Sequence, residues 1–223
     1  GKHKNGIIED TGYTNKVYYA IDGILMKGNL LIGDVYYVFD EDYVLNRMCR
    51  NEVIDFNGVE VYVNNDGKKA ISEWITISGD RYYIDAENKP ATGNYYHIDS
   101  VYYDFDAEGK YIGKSNGWLP NGEEAPVSYI LDGNKQVNTF CTVEEKLYFF
   151  DANGIKVSGK EAVYIGDKVY SFDADGVATD ITAGSNNIWV EFLTGGKGYY
   201  KDGALYIGLL EIMESEVAVY YYF

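Results

Sequence analysis

The sequence predicts an all-β protein, a solenoid-like stack of about nine or ten β-hairpin repeats of roughly 20 residues. Three observations predict it. An aromatic stretch ending in an apolar–Asp pair recurs along the chain: VYYVFDED from Val35, YYDFDAEGK from Tyr102, KLYFFDANGIKVSG from Lys146 and KVYSFDADG from Lys168. Within each copy the large residues alternate at period two, the strand period. Helical stripes are hard to find; the best, around Leu209–Met213, amounts to a single turn at most.

Aligned on the apolar–Asp pair, copies fall at Ile21-Asp22, Phe39-Asp40, Val63-Asn64, Ile84-Asp85, Phe105-Asp106, Leu131-Asp132, Phe150-Asp151 and Phe172-Asp173. A degenerate ninth is Phe192-Leu193, and successive spacings are 18, 24, 21, 21, 26, 19, 22 and 20 residues. Tyr usually stands two residues before the apolar member, and Gly often three residues after the Asp, as at Gly67, Gly109, Gly154 and Gly176. Asp66-Gly67, Asn153-Gly154 and Asp175-Gly176 are dipeptides that favour φ > 0 in tight primed turns, and a second strand follows each. One hairpin cannot bury its own aromatic face, so the units must stack.

Residues 1–14 precede the first copy and are expected to form an N-terminal extension, with 15–223 as a single repeat domain. The main irregularity is GKSNGWLPNGEEAP, from Gly113, which holds two of the three prolines and widens the spacing to 26. It reads as a long loop, with a bend of the array expected at 113–127. A closed β-propeller of half-blades is the architectural rival. The C-terminal AVYYYF reads as a last strand whose free edge caps the stack or pairs two copies as a homodimer.

A formal net charge of −16 disfavours nucleic acid and anionic membranes as partners, because both would repel the chain. No apolar run approaches the roughly 20 residues that cross a bilayer, so no membrane insertion is expected. Cys49 and Cys141 lie far apart without metal-like spacing and read as free thiols. GKSNG from Gly113 matches G-x-S-x-G, but His3 and His97 both precede Ser115 and no helix follows, so no nucleophile elbow is assigned. GKYIGKS from Gly109 lacks the spacing of a phosphate loop. Asp-rich turns such as Asp173-Ala174-Asp175 are explained by turn hydrogen bonding rather than calcium. Paired carboxylates in a cleft, which glycoside hydrolysis requires, are not expected from near-equivalent hairpins. The expectation is a protein without catalytic residues, metal or cofactor.

KLYFFDANGIKVSG, GDKVYSFDADGVATD and DSVYYDFDAEGKYIG resemble the cell-wall-binding repeats of Gram-positive surface proteins, a family that includes choline-binding modules and glucan-binding repeats. The resemblance covers roughly Asn15 to Gly196. It implies a β-hairpin solenoid, secretion or a cell-surface location, and non-catalytic attachment to a cell-wall polymer or polysaccharide through aromatic grooves between repeats. It does not extend to a choline cage. The post-glycine Trp is replaced by Asn29, Asn94, Lys114 and Lys160, and the strand-opening Trp by Tyr18, Tyr36, Arg81, Tyr102, Leu147 and Val169. Trp74 stands within one residue of the family's post-glycine position and, if units stack in order, beside Tyr95 and Tyr96. These three, with Trp118 expected exposed in the long loop, are the candidate ligand-binding residues; packing of Trp74 as core is the plain alternative. The rival function is a structural or adhesive rod with protein partners and no small-ligand site.

Overall fold

Ten antiparallel hairpins follow one another in the computed structural model, which describes residues 5–10, 12, 15–214 and 217–222. Hairpins 1 to 5 pair Gly6–Asp10 with Lys16–Ile21, Gly28–Ile32 with Val35–Phe39, Glu52–Phe56 with Val59–Val63, Glu73–Ile77 with Asp80–Ile84, and Gly93–Ile98 with Val101–Phe105. Hairpins 6 to 10 pair Gly117–Asn121 with Glu124–Leu131, Thr139–Val143 with Lys146–Phe150, Lys160–Ile165 with Lys168–Phe172, Ile188–Phe192 with Lys197–Lys201, and Leu209–Glu214 with Val217–Tyr222. The protein is therefore all-β, as its sequence pattern predicts. Among the described residues the sole helical segment is one 3-10 turn, Thr182–Gly184, and no helix is long and apolar enough to cross a membrane.

Contacts divide the chain into two units, 1–115 and 116–223, with five hairpins in each. The division falls inside the 113–127 segment. Residues 6–10, within the stretch expected as an extension, form the first strand of hairpin 1. Of AVYYYF, Phe223 lies outside the described residues, and the rest pairs within hairpin 10.

The Asp of the repeat works at the exit of each hairpin rather than at its tip. In hairpin 7 the Asp151 carboxylate accepts backbone N–H bonds from Asn153 (2.9 Å) and Ile155 (2.8 Å). The Gly154 N–H closes on the Asp151 carbonyl at 2.9 Å with φ of +70°. This is a turn followed by a left-handed residue, the three-residue loop with a G1 bulge. Asn153 keeps a negative φ, so the dipeptide is not a primed turn, contrary to the sequence expectation; the carboxylate bonds favour the longer loop. The same bonding recurs after Asp40, Asn64, Asp85 and Asp106, and after Asp173 with Val177 as the N–H donor to its carboxylate, with Tyr43, Gly67, Asn88, Gly109 and Gly176 at the left-handed position.

Primed turns with both residues at positive φ instead join the two strands of hairpins 3, 4, 5 and 7, at Asn57-Gly58, Ser78-Gly79, Asp99-Ser100 and Glu144-Glu145. They also form the exits of hairpins 1, 6 and 9, at Asp22-Gly23, Asp132-Gly133 and Asp202-Gly203. The shorter exit moves the buried position back by one. Phe39, Val63, Ile84, Phe105, Phe150 and Phe172, each next to its Asp or Asn, are all at most 3% exposed. After a two-residue exit, Ala20, Ile130 and Tyr200 take that place, leaving Ile21 and Leu131 about half exposed.

The left-handed residue also docks each unit on the one before. A Cβ on Gly109 would lie 2.5 Å from Pro90, on Gly154 2.6 Å from Lys135, and on Gly176 2.8 Å from Lys156, all on the exit segment of the preceding hairpin. Where Asn88 replaces glycine, its side chain turns back and bonds Tyr62 N (3.0 Å), Tyr62 O (2.9 Å) and Ala70 O (2.8 Å). The core is accordingly distributed as small clusters between consecutive hairpins, such as Cys141, Val143, Tyr148 and Phe150 beside Trp118 and Tyr129. Cys49, packed with Tyr36, Ile54, Val61 and Val63, is fully buried, and burial pushes its thiol up to about 11. Both cysteines are free.

Two irregularities remain. The segment expected as a long loop forms hairpin 6, whose Gly122-Glu123 tip is tight and whose register shifts between Leu119 and Asn121. That shift accommodates Pro120, which has no N–H to give the ladder. The largest break lies later, between hairpins 8 and 9, where Lys160–Ile165 and Ile188–Phe192 pair in parallel through Val163↔Glu191 and Tyr164↔Phe192. Phe192 opens the tip loop of hairpin 9, closed by Gly195 N–H on the Phe192 carbonyl, so the degenerate ninth copy is a tip and not an exit.

Candidate ligand-binding surface

Each tryptophan is the second residue of the first strand of its hairpin: Trp74 in hairpin 4, Trp118 in hairpin 6 and Trp189 in hairpin 9. Strand alternation sends this side chain to the face shared with the neighbouring strand's paired residue, which is Tyr83, Tyr129 and Tyr199 respectively. Rings of the following hairpin complete each group. Trp74 meets Tyr103 at 5.2 Å, Phe105 at 5.6 Å and Tyr111 at 5.5 Å between ring centroids. Trp118 meets Tyr148 at 5.2 Å and Phe150 at 5.9 Å. Trp189 meets Tyr221 at 4.8 Å. Phe140, at the same strand position of hairpin 7, meets Tyr170 at 4.7 Å. All three tryptophans are half-buried: each ring holds two hairpins together and keeps part of its surface in water.

The residues singled out in the sequence distribute unevenly around these groups. Tyr96 joins the Trp74 group indirectly, through Tyr83 (6.2 Å) and Phe105 (5.8 Å), and burial raises its phenol above the usual range. Tyr95 sits at a register shift with φ of +58°, its N–H bonded to the Asp104 carboxylate at 2.9 Å. Trp118 is on a strand and half-buried, not exposed in a loop, because the Gly122-Glu123 tip folds 117–131 into a hairpin. Ser115 of GKSNG is fully buried and donates to the same Asp104 carboxylate. His97 lies against Tyr102. Among the described residues no three His, Cys, Asp or Glu side chains are grouped to hold a metal ion.

Two of the aromatic groups carry a cation of the chain itself. The Arg81 guanidinium lies 4.2 Å from the Trp74 ring centroid and 5.6 Å from that of Tyr111. The Lys156 ammonium lies 5.2 Å from Trp118 and 5.8 Å from Tyr148. Such stacking is attractive because the ring face is electron-rich.

The break between hairpins 8 and 9 opens two adjoining clefts. One, of about 570 Å³, is lined by Asp151, Lys156, Lys160, Glu191, Phe192 and Lys197 among others. The other, of about 390 Å³, adds Glu161 and Trp189 and shares Lys160, Glu191 and Lys197. Lys160 bonds Glu191 at 2.7 Å, and this bond holds the Glu191 carboxylate below its usual range. Trp189 and Glu191 are two apart on one strand, opposite Tyr199 and Lys197, so rings and charges share one face. Sequence reading passed over Trp189 because the apolar–Asp alignment placed it in a degenerate copy; its place at the same strand position as Trp74 was the available signal.

No family model and no curated protein matches the chain. Among solved structures it is similar to the modular autolysin LytC of Streptococcus pneumoniae in complex with a synthetic peptidoglycan ligand (18% identity, TM-score 0.44, covering 98% of this chain and 51% of that one). It is also similar to the choline-binding domain of CbpL from Streptococcus pneumoniae (23% identity, TM-score 0.45, covering 91% and 97%). A third is choline binding protein F of Streptococcus pneumoniae (19% identity, TM-score 0.39, covering 79% and 57%). The chain spans about half the length of LytC.

Proposed function

We propose that the protein is a non-catalytic, extracellular binding module that attaches to a cell-wall polymer or polysaccharide through the aromatic surfaces between its repeats. The observation that carries this reading is the recurrence of a half-buried tryptophan at one strand position in three hairpins, each joined to rings of the next. A sugar presents an apolar C–H face and a rim of hydroxyls. Amphipathic rings with charged neighbours match that pattern, the rings taking the face and the charges the rim. Trp74, Tyr96 and Trp118 supply rings on this reading. The clefts beside Trp189 supply donors from Lys160 and Lys197 and acceptors from Glu161 and Glu191. The −16 charge favours an uncharged polymer over a polyanion.

The test is co-sedimentation with purified Gram-positive cell walls and with insoluble glucans, using free sugars as competitors. Saturable binding is expected, weakened roughly tenfold by Lys160→Met with Glu191→Met, which removes hydroxyl partners while leaving the aromatic core. A folded protein that sediments with none of these polymers would overturn the reading and leave a rod with protein partners.

A further inference from the structure

The two stacked cations reach their rings from different places in the repeat. Arg81 is the second residue of the second strand of its own hairpin, four places beyond the end of the Trp74 strand. Lys156 belongs to the exit segment of hairpin 7, one hairpin beyond Trp118, where it bridges Phe150. The equivalent exit residue at the Trp74 group is Tyr111, which bridges Phe105. So one group places a ring at the exit position and draws its cation from a strand, while the other draws its cation from the exit. Each cation lies against its tryptophan and one ring of the following hairpin, Tyr111 for Arg81 and Tyr148 for Lys156.

A tryptophan with a second ring set edge-on beside it, as Tyr111 is to Trp74 and Tyr148 to Trp118, is an arrangement that attracts an organic cation out of water. We infer that Arg81 and Lys156 are built-in occupants of two cation sites, so that these platforms are closed to external quaternary ammonium groups and open to them once the internal cation is removed. Arg81 is exposed, and its flat guanidinium matches the ring better than an ammonium does, which fits it for permanent stacking. Lys156 is half-buried along its stem: its Cγ and Cδ are the atoms that a Cβ on Gly176 would strike at 2.8 Å. That packing holds the ammonium over Trp118 and Tyr148, and a longer or shorter side chain would not hold it there. The two sites lie in different units, so each is tested by itself.

The experiment is titration of the folded chain with tetramethylammonium chloride against sodium chloride at equal ionic strength, following the indole N–H signals by NMR. The unaltered protein is expected to give no saturable shift at Trp74 or Trp118. Arg81→Ala should produce one at Trp74, with at least about a tenfold gain in apparent affinity. Arg81→Lys, which restores a cation, should abolish the gain, and Lys156→Ala should act at Trp118 alone. Equal titration of the unaltered protein and Arg81→Ala would overturn the inference. So would Arg81→Ala with an unchanged spectrum elsewhere and no shift at Trp74. The probe is a small cation, so failure of polymer binding would remove the proposed function and leave this result standing.

Discussion

Asn88 shows how much one side chain can carry in a repeat. Five of the six three-residue exits place Gly or an exposed Tyr at the left-handed position, and Asn88 is the one that fills it with a buried amide bonded to three backbone groups. Asparagine tolerates φ near +64° but glycine tolerates it better, so backbone preference alone would favour Asn88→Gly. The opposite is expected. Losing the amide takes the partner from the Tyr62 N–H and the Ala70 carbonyl, while the Tyr62 carbonyl keeps the Ala70 N–H, and the substitution should cost about 1–3 kcal/mol in chemical denaturation. An unchanged midpoint would show that water replaces the amide. The aligned glycines of the sequence pointed to this position, yet nothing local revealed that Asn88 reaches back across a whole repeat. Its partners lie 18 and 26 residues away, and only stacking brings them near.

At the scale of elements, two turn types divide the labour. Exits were legible because an Asp or Asn whose carboxylate or amide oxygen caps two backbone N–H groups leaves a residue signature. Tips were less legible, since they use Asn-Gly, Ser-Gly, Asp-Ser and even Glu-Glu. Glu144 and Glu145 hold φ of +49° and +67° at an exposed tip with no glycine to relieve it. Replacing them with Asn and Gly keeps the turn and removes a like-charge pair. A gain of about 1–2 kcal/mol in thermal or denaturant stability is expected. A loss would show that the glutamates bond groups elsewhere. Hairpin 6 was hidden for a related reason: prolines and glycines at 117–126 read as loop, whereas a register shift absorbs Pro120 and Gly122 forms the tip.

For the whole chain, hairpin number and period followed from the sequence, because burying one face of each hairpin requires neighbours of equal length. The candidate surface followed only in part. Trp74 and its next-repeat partners could be anticipated as a group, but Tyr103, Phe105 and Tyr111 hold the ring rather than Tyr95. A core made of small inter-hairpin clusters also sets how damage spreads. Phe150 is fully buried between hairpins 6 and 7. Phe150→Ala should cost about 3–5 kcal/mol. In hydrogen exchange it should strip protection from hairpins 6 to 8 while the amides of hairpin 3 keep theirs, as nearest-neighbour coupling requires. Uniform loss across all hairpins would instead show one cooperative unit.

The docking of each exit residue on the preceding unit also decides where foreign sequence can enter. An extra residue after Asp151 would lift Gly154 off Lys135 and shift every later hairpin against its predecessor. An extra loop at Asn57-Gly58 or Glu144-Glu145 meets open water and disturbs one tip. Peptide tags, fluorophores or grafted recognition loops therefore belong at such tips, each an exposed attachment point that varies independently of its neighbours.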